Sequence, residues 1–126
     1  MSSTRTAIVV LSDPRGGEEA LGRLFNALAA TYDFKQKQHD VQLIFQGTGT
    51  RWTGLLTKAD HPLHALYKAV EDKVAGASLA CSVFFGARED AEANGFSLIA
   101  NNPVPGTEGL PSLAAYAADG YRVVTF

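Results

Sequence analysis

The sequence predicts an α/β fold, three layers deep (α/β/α), with a five-stranded, mainly parallel sheet at its centre. Three observations point there. Five short apolar runs alternate with four helical segments, and such alternation calls for parallel strands joined by right-handed crossovers. The first run, TAIVVL at Thr6 to Leu11, is continuous rather than alternating, as expected of a strand covered on both faces. The length, 126 residues at 46% hydrophobic, provides one core and suits a single domain over 1–126.

The elements follow in order. After the first strand, SDPRGG at Ser12 to Gly17 reads as a turn. Glu18 to Tyr32 reads as an amphipathic helix with Leu21, Leu24, Phe25, Leu28 and Tyr32 on its apolar stripe. Its Glu18 and Glu19 complement the helix dipole and would repel a phosphate docking there. A polar connection, Asp33 to Asp40, leads to the second strand, Val41 to Gln46. Pro62 to Ala75 reads as the next helix, with Leu63, Leu66, Tyr67, Val70 and Val74 inward and Gly76 ending it. Phe96 to Ala100 is a short fourth strand, Asn101 to Pro111 an 11-residue loop with three prolines, Leu113 to Asp119 a helix capped by Ser112, and Tyr121 to Phe126 the last strand. A loop of that length commonly has a function or covers something.

Composition excludes several classes. The net charge is −2 without a basic block, so neither nucleic acid nor an anionic membrane is an expected partner. A single cysteine rules out an internal disulfide framework and suits a reducing, cytoplasmic setting. The opening apolar run is too short for a signal peptide or a membrane span. The glycine-bearing loop GTGTRWTG at Gly47 to Gly54 invites a nucleotide reading but fails it: a dinucleotide fingerprint needs glycine where Trp52 stands, and a P-loop needs Lys and Ser/Thr where Leu55 and Leu56 stand. Gly47 and Gly49 then make a tight turn, and Arg51 and Trp52 either pack in a core or subunit contact or frame a ligand pocket. Asp60, His61 and His64 lack the spacing of a metal ligand set, so no metal is expected. Flavin suits the topology only, without a phosphate loop, and no cofactor is expected.

The stretch that carries chemistry is ASLACSVFFGARE, Ala77 to Glu89. Read as one buried strand, it makes Cys81 a small core hydrophobe. Read as a strand ending near Cys81 with a helix capped by Ser82, it aligns Val83, Phe84, Ala87 and Ala91 at helical spacing up to Gly95. The second reading puts the sulfur at a helix start, where the positive end of the dipole favours a negative nucleophile. In open parallel sheets ligands gather outside the carboxyl ends of the strands. Here those ends carry Ser12 and Asp13, Gly47 to Trp52, Cys81 and Ser82, and Asn101 and Asn102, so a thiol, an Arg-Trp pair and two amides are expected on one edge.

Over nearly the whole chain, Thr6 to Phe126, the order and lengths of AIVVLS, FQGTG, ASLACSVFFGARE and LAAYAADGYRVVTF resemble the DsrE-like sulfur-relay family, with its TusD-type and YchN-like members, whose topology class is flavodoxin-like. In that family a cysteine after the third strand, with Arg downstream, marks a persulfide-bearing site. Cys81 and Arg88 hold those places, although the Gly86-Ala87-Arg88 order reverses the Arg-Gly of many members. The resemblance implies a sulfur carrier or transferase that meets sulfur donor and acceptor proteins and assembles as a homo-oligomer, a trimer or hexamer. On it, the Ser82 and Val83 amides stabilise charge at Cys81, and Arg51 and Arg88 are outlying cations. The alternative is a non-enzymatic ligand-binding or scaffold protein in which the Gly47–Trp52 and Asn101–Pro111 loops frame an interface pocket.

Overall fold

The computed structural model describes residues 3–126. Five strands form one all-parallel sheet: β1 (Arg5–Val10), β2 (Asp40–Phe45), β3 (Val74–Ser78), β4 (Leu98–Ile99) and β5 (Arg122–Thr125). Their order is β4-β3-β2-β1-β5. The chain therefore steps outward from β1 to β4, then returns across the sheet to lay β5 against β1. That reversal separates the helices into two layers. Helices α1 (Gly17–Gln36), α2 (His64–Val70), α3 (Leu79–Phe84) and α4 (Arg88–Ala93) belong to the outward steps, and α5 (Leu113–Ala118) to the return.

The alternation of side chains along β1 and β2 serves both layers. Ile8, Val10, Leu43 and Phe45 point to the larger core, where they meet Leu24 and Leu28 of α1, Tyr67 and Val70 of α2 and Ala91 of α4. Ala7, Val9 and Ile44 point the other way, to Tyr121 and to Leu113 and Tyr116 of α5. Among the described residues no helix is long and apolar enough to cross a membrane.

Several boundaries differ from the sequence reading, each for a packing reason. Helix α1 continues through the polar stretch to Gln36, because Phe34 reaches the core and Lys35 bonds the Ala69 carbonyl and Asp72 at 2.8 and 2.7 Å. Its buried face is Ala20, Leu24, Ala27, Leu28 and Thr31, while Phe25 and Tyr32 are exposed. Helix α2 stops at Val70, and Val74 and Gly76 belong to β3 rather than to a helix end. The pairing of β2 with β3 slips between Leu43 and Ile44, which face Val74 and Gly76 in turn. Gly76 allows the slip: its φ is +150°, and a Cβ there would lie 2.3 Å from the Ser97 carbonyl oxygen. The fourth strand contracts to two residues, Leu98–Ile99.

Candidate functional site

The helix that carries Cys81 starts earlier than the sequence suggests. Ser78, at the end of β3, is the N-cap, and its Oγ accepts from the Cys81 N–H at 3.2 Å. The Ala80 N–H donates to the Gly109 carbonyl at 2.8 Å. Ser82, the expected cap, lies one turn inside α3, fully buried, with its Oγ unpartnered among the described residues. This shift rotates the helix. Of the residues at helical spacing, Ala87 and Ala91 are buried, but Val83 is exposed and Phe84 is 82% exposed, so the four do not share one inner face. The segment then breaks at Phe85 and Gly86, and α4 is a separate helix.

Cys81 is half-buried on the wall of an open cleft of about 520 Å³. Ala80, Val83, Phe84 and Phe85 line it from the α3 side, and Gly106, Thr107, Glu108 and Leu110 from the long loop. That loop is built, not slack. Asn102 and Leu110 exchange backbone hydrogen bonds at 2.7 and 3.0 Å, making a small hairpin. Asn101 closes its base, its Oδ1 accepting from the Ser112 N–H at 2.9 Å. Arg88 of α4 pairs with Glu92 at 2.9 Å and with Glu108 of the loop at 3.4 Å. The Glu92 hydrogen bond, then the Glu92 and Glu108 charges, hold its guanidinium above the ordinary arginine range. Neither Asn101 nor Arg88 lines the cleft; both hold the wall that does.

The stretch Gly47–Gly54 is not an open loop but a 3-10 helix packed over the carboxyl end of β1. Gly47 turns the chain with φ +60°, and a Cβ on Gly49 would lie 2.2 Å from the Val10 carbonyl oxygen. Trp52 is 2% exposed, donates from Nε1 to the Ser12 carbonyl at 2.9 Å and meets His61 edge-on. It packs in the core and does not line the Cys81 cleft. Burial lowers the His61 pKa, with Asp60 raising it and His64 lowering it in smaller measure. Arg51 donates to Asp13 at 2.8 Å and to the Phe85 carbonyl at 3.3 Å, and lies over the Phe85 ring. It borders a second cleft, which shares Phe85 with the Cys81 cleft. Thus the carboxyl edge gathers Cys81, Phe85 and the long loop around one cleft and Arg51 around another, while Trp52 and Ser82 are buried and, with Gly47 and Gly49, line neither cleft.

A family model for DsrE/DsrF-like proteins matches residues 4–126. The chain belongs to the DsrE/DsrF-like family. The comparisons with curated proteins and with solved structures gave no match.

In this DsrE/DsrF-like chain two amides of the first turn of α3 are already engaged, Ala80 by Gly109 and Cys81 by Ser78, and Ser82 and Val83 lie inside the helix rather than at its start, where they were expected. What the arrangement offers a sulfur group is a half-buried thiol against an apolar wall, with Glu108 as the one ionisable side chain among the cleft residues besides Cys81. Among the described residues no three or more His, Cys, Asp or Glu side chains are grouped to hold a metal ion. Phe84, Glu108 and Leu110 were missed as cleft residues by sequence reasoning, since they meet Cys81 only through the fold.

Proposed function

We propose that this protein is a sulfur carrier that holds a persulfide on Cys81. The Cys81 thiolate attacks the outer sulfur of a donor persulfide. A bond forms between Sγ and that sulfur, the donor's own S–S bond breaks, and the donor leaves as a thiolate. An acceptor thiolate then attacks the same outer sulfur, and Cys81 departs as thiolate. Each step exchanges one S–S bond for another, so no net oxidation and no cofactor is involved.

The observation that carries this reading is the place of the chain's one cysteine: half-buried, on an apolar cleft at the carboxyl edge of the sheet, in a chain of this family. The apolar wall limits water and oxidant around the loaded sulfur, and the open mouth admits a partner's thiol. The reading takes 1–126 as one functional unit in the cytoplasm, meeting donor and acceptor proteins. It includes a homo-oligomer, trimer or hexamer, as the family resemblance implies. Phe84 and Phe25, 82% and 50% exposed, are side chains such an assembly would cover.

The test is Cys81→Ser and Cys81→Ala against the parent chain, each incubated with a low-molecular-weight persulfide and weighed intact. The parent gains one sulfur, and the variants keep their fold and gain none. A serine variant that still loads sulfur would sink the proposal.

A further inference from the structure

Seven of the 11 Lys and Arg side chains are ion-paired, leaving Arg15, Lys58, Lys73 and Arg122 without an acidic partner among the described residues. Two of these four, Arg15 and Lys58, border one cleft of about 520 Å³, and Arg51 is a third cation on its wall. The chain's net charge is −2, so this gathering of cations is local rather than a reflection of general basicity.

Arg51 is ordered in advance. Its side chain is 20% exposed, with Nη1 on Asp13, Nε on the Phe85 carbonyl and the guanidinium over the Phe85 ring. Nη2 has no partner among the described residues and stays available to a ligand. A guanidinium fixed in this way loses little freedom when it binds a carboxylate or phosphate, both of which match its planar donors. Leu55, Phe85 and Ala87 give the same cleft an apolar side, and its volume lies in the range of small-molecule sites.

We propose that this second cleft binds a small organic anion, with a phosphate or carboxylate head held by Arg15, Arg51 and Lys58 and an apolar body against Phe85 and Leu55. Asp90 is the one acid on the wall, and its carboxylate occupies the space a Gly54 Cβ would need, 2.5 Å away. It opposes an anion that brings no donor group of its own. The site is distinct from the Cys81 cleft and does not depend on the sulfur reading.

The experiment titrates the isotope-labelled protein with phenyl phosphate, benzoate and inorganic phosphate and follows backbone amides and the Arg51 Nε–H by NMR. Saturable shifts at Gly54, Gly86 and Arg51 are expected with phenyl phosphate or benzoate, whichever head group the site prefers, and weaker ones with inorganic phosphate. Arg15→Gln with Lys58→Gln, both outside the core, should weaken binding by about tenfold or more, and Asp90→Asn should tighten it. Shifts centred on Ala80 and Gly109, no saturable shift, or a double variant that binds as the parent does would overturn the proposal. The readout does not involve Cys81, so its failure and a failure of sulfur loading are separate results.

Discussion

Replacing Ser78 and Ser82 by alanine, one at a time, tests where the Cys81 helix begins. Ser78 is fully buried, and its Oγ accepts the Cys81 N–H at 3.2 Å. Loss of an N-cap hydroxyl costs about 0.5–2 kcal/mol, and leaving a half-buried amide unpaired moves the value toward the top of that range. The expectation for Ser78→Ala is a loss of about 2 kcal/mol. A chain of 126 residues changes its Tm by about 3–5 °C per kcal/mol, so the shift is roughly 6–10 °C. Ser82 is the opposite case. Its Oγ is buried and has no partner among the described residues, so Ser82→Ala removes a polar atom that gains nothing from folding. That change is expected to be neutral or stabilising, within about 1 kcal/mol. Urea unfolding followed by the fluorescence of buried Trp52 measures both. If Ser82→Ala proved the more damaging of the two, the cap would be at Ser82 and the helix phase argued above would be wrong.

Three further outcomes follow from the same geometry. Gly49→Ala sets a Cβ 2.2 Å from the Val10 carbonyl oxygen and 2.9 Å from its carbon, backbone atoms that cannot swing aside, and should destabilise by about 3 kcal/mol; Gly22→Ala, with open space around it inside α1, should stabilise by up to about 1 kcal/mol in the same urea assay. His61 has a folded-state pKa below its ordinary value, chiefly through burial, and its Nδ1 accepts from the Leu63 N–H. The unfolded chain therefore takes up the proton first, and this contribution to stability is whole above a pH of about 6.5 and lost as the pH falls through the folded value. His61→Gln should accordingly flatten the fall in urea midpoint between neutral and mildly acidic pH; a slope equal to the parent's would contradict the assignment.

How far the sequence foretold this depended on burial. The central strands β1 and β2 fall within one residue of the runs Thr6–Leu11 and Val41–Gln46, because a strand covered on both faces must be apolar throughout. The edge strand β4, with little to cover it, was overdrawn. Helix phase was harder. In α1 small residues, Ala20, Ala27 and Thr31, take the inner face, and the large Phe25 and Tyr32 lie outside, which an apolar stripe cannot reveal. At Cys81 the sequence reading takes Ser82 as the cap, whereas Ser78 holds that place, fixed by its bond to the Cys81 N–H, by the Gly109 carbonyl and by the burial of Ser82. Cys81 itself was legible as the single thiol after the third strand. Its cleft was not, for Glu108 and Leu110 reach it from about 30 residues away and no local pattern marks them.

The central claim is that the Cys81 thiol is accessible in the folded protein and takes up sulfur. The most direct measurement is the rate of Cys81 alkylation in the native state against the urea-unfolded state, with intact mass after persulfide treatment on the same sample. The account predicts a native thiol that alkylates without unfolding and gains one sulfur, with alkylation blocking the gain. A thiol that stays inert until the chain unfolds, or reacts freely yet takes up no sulfur, would contradict it.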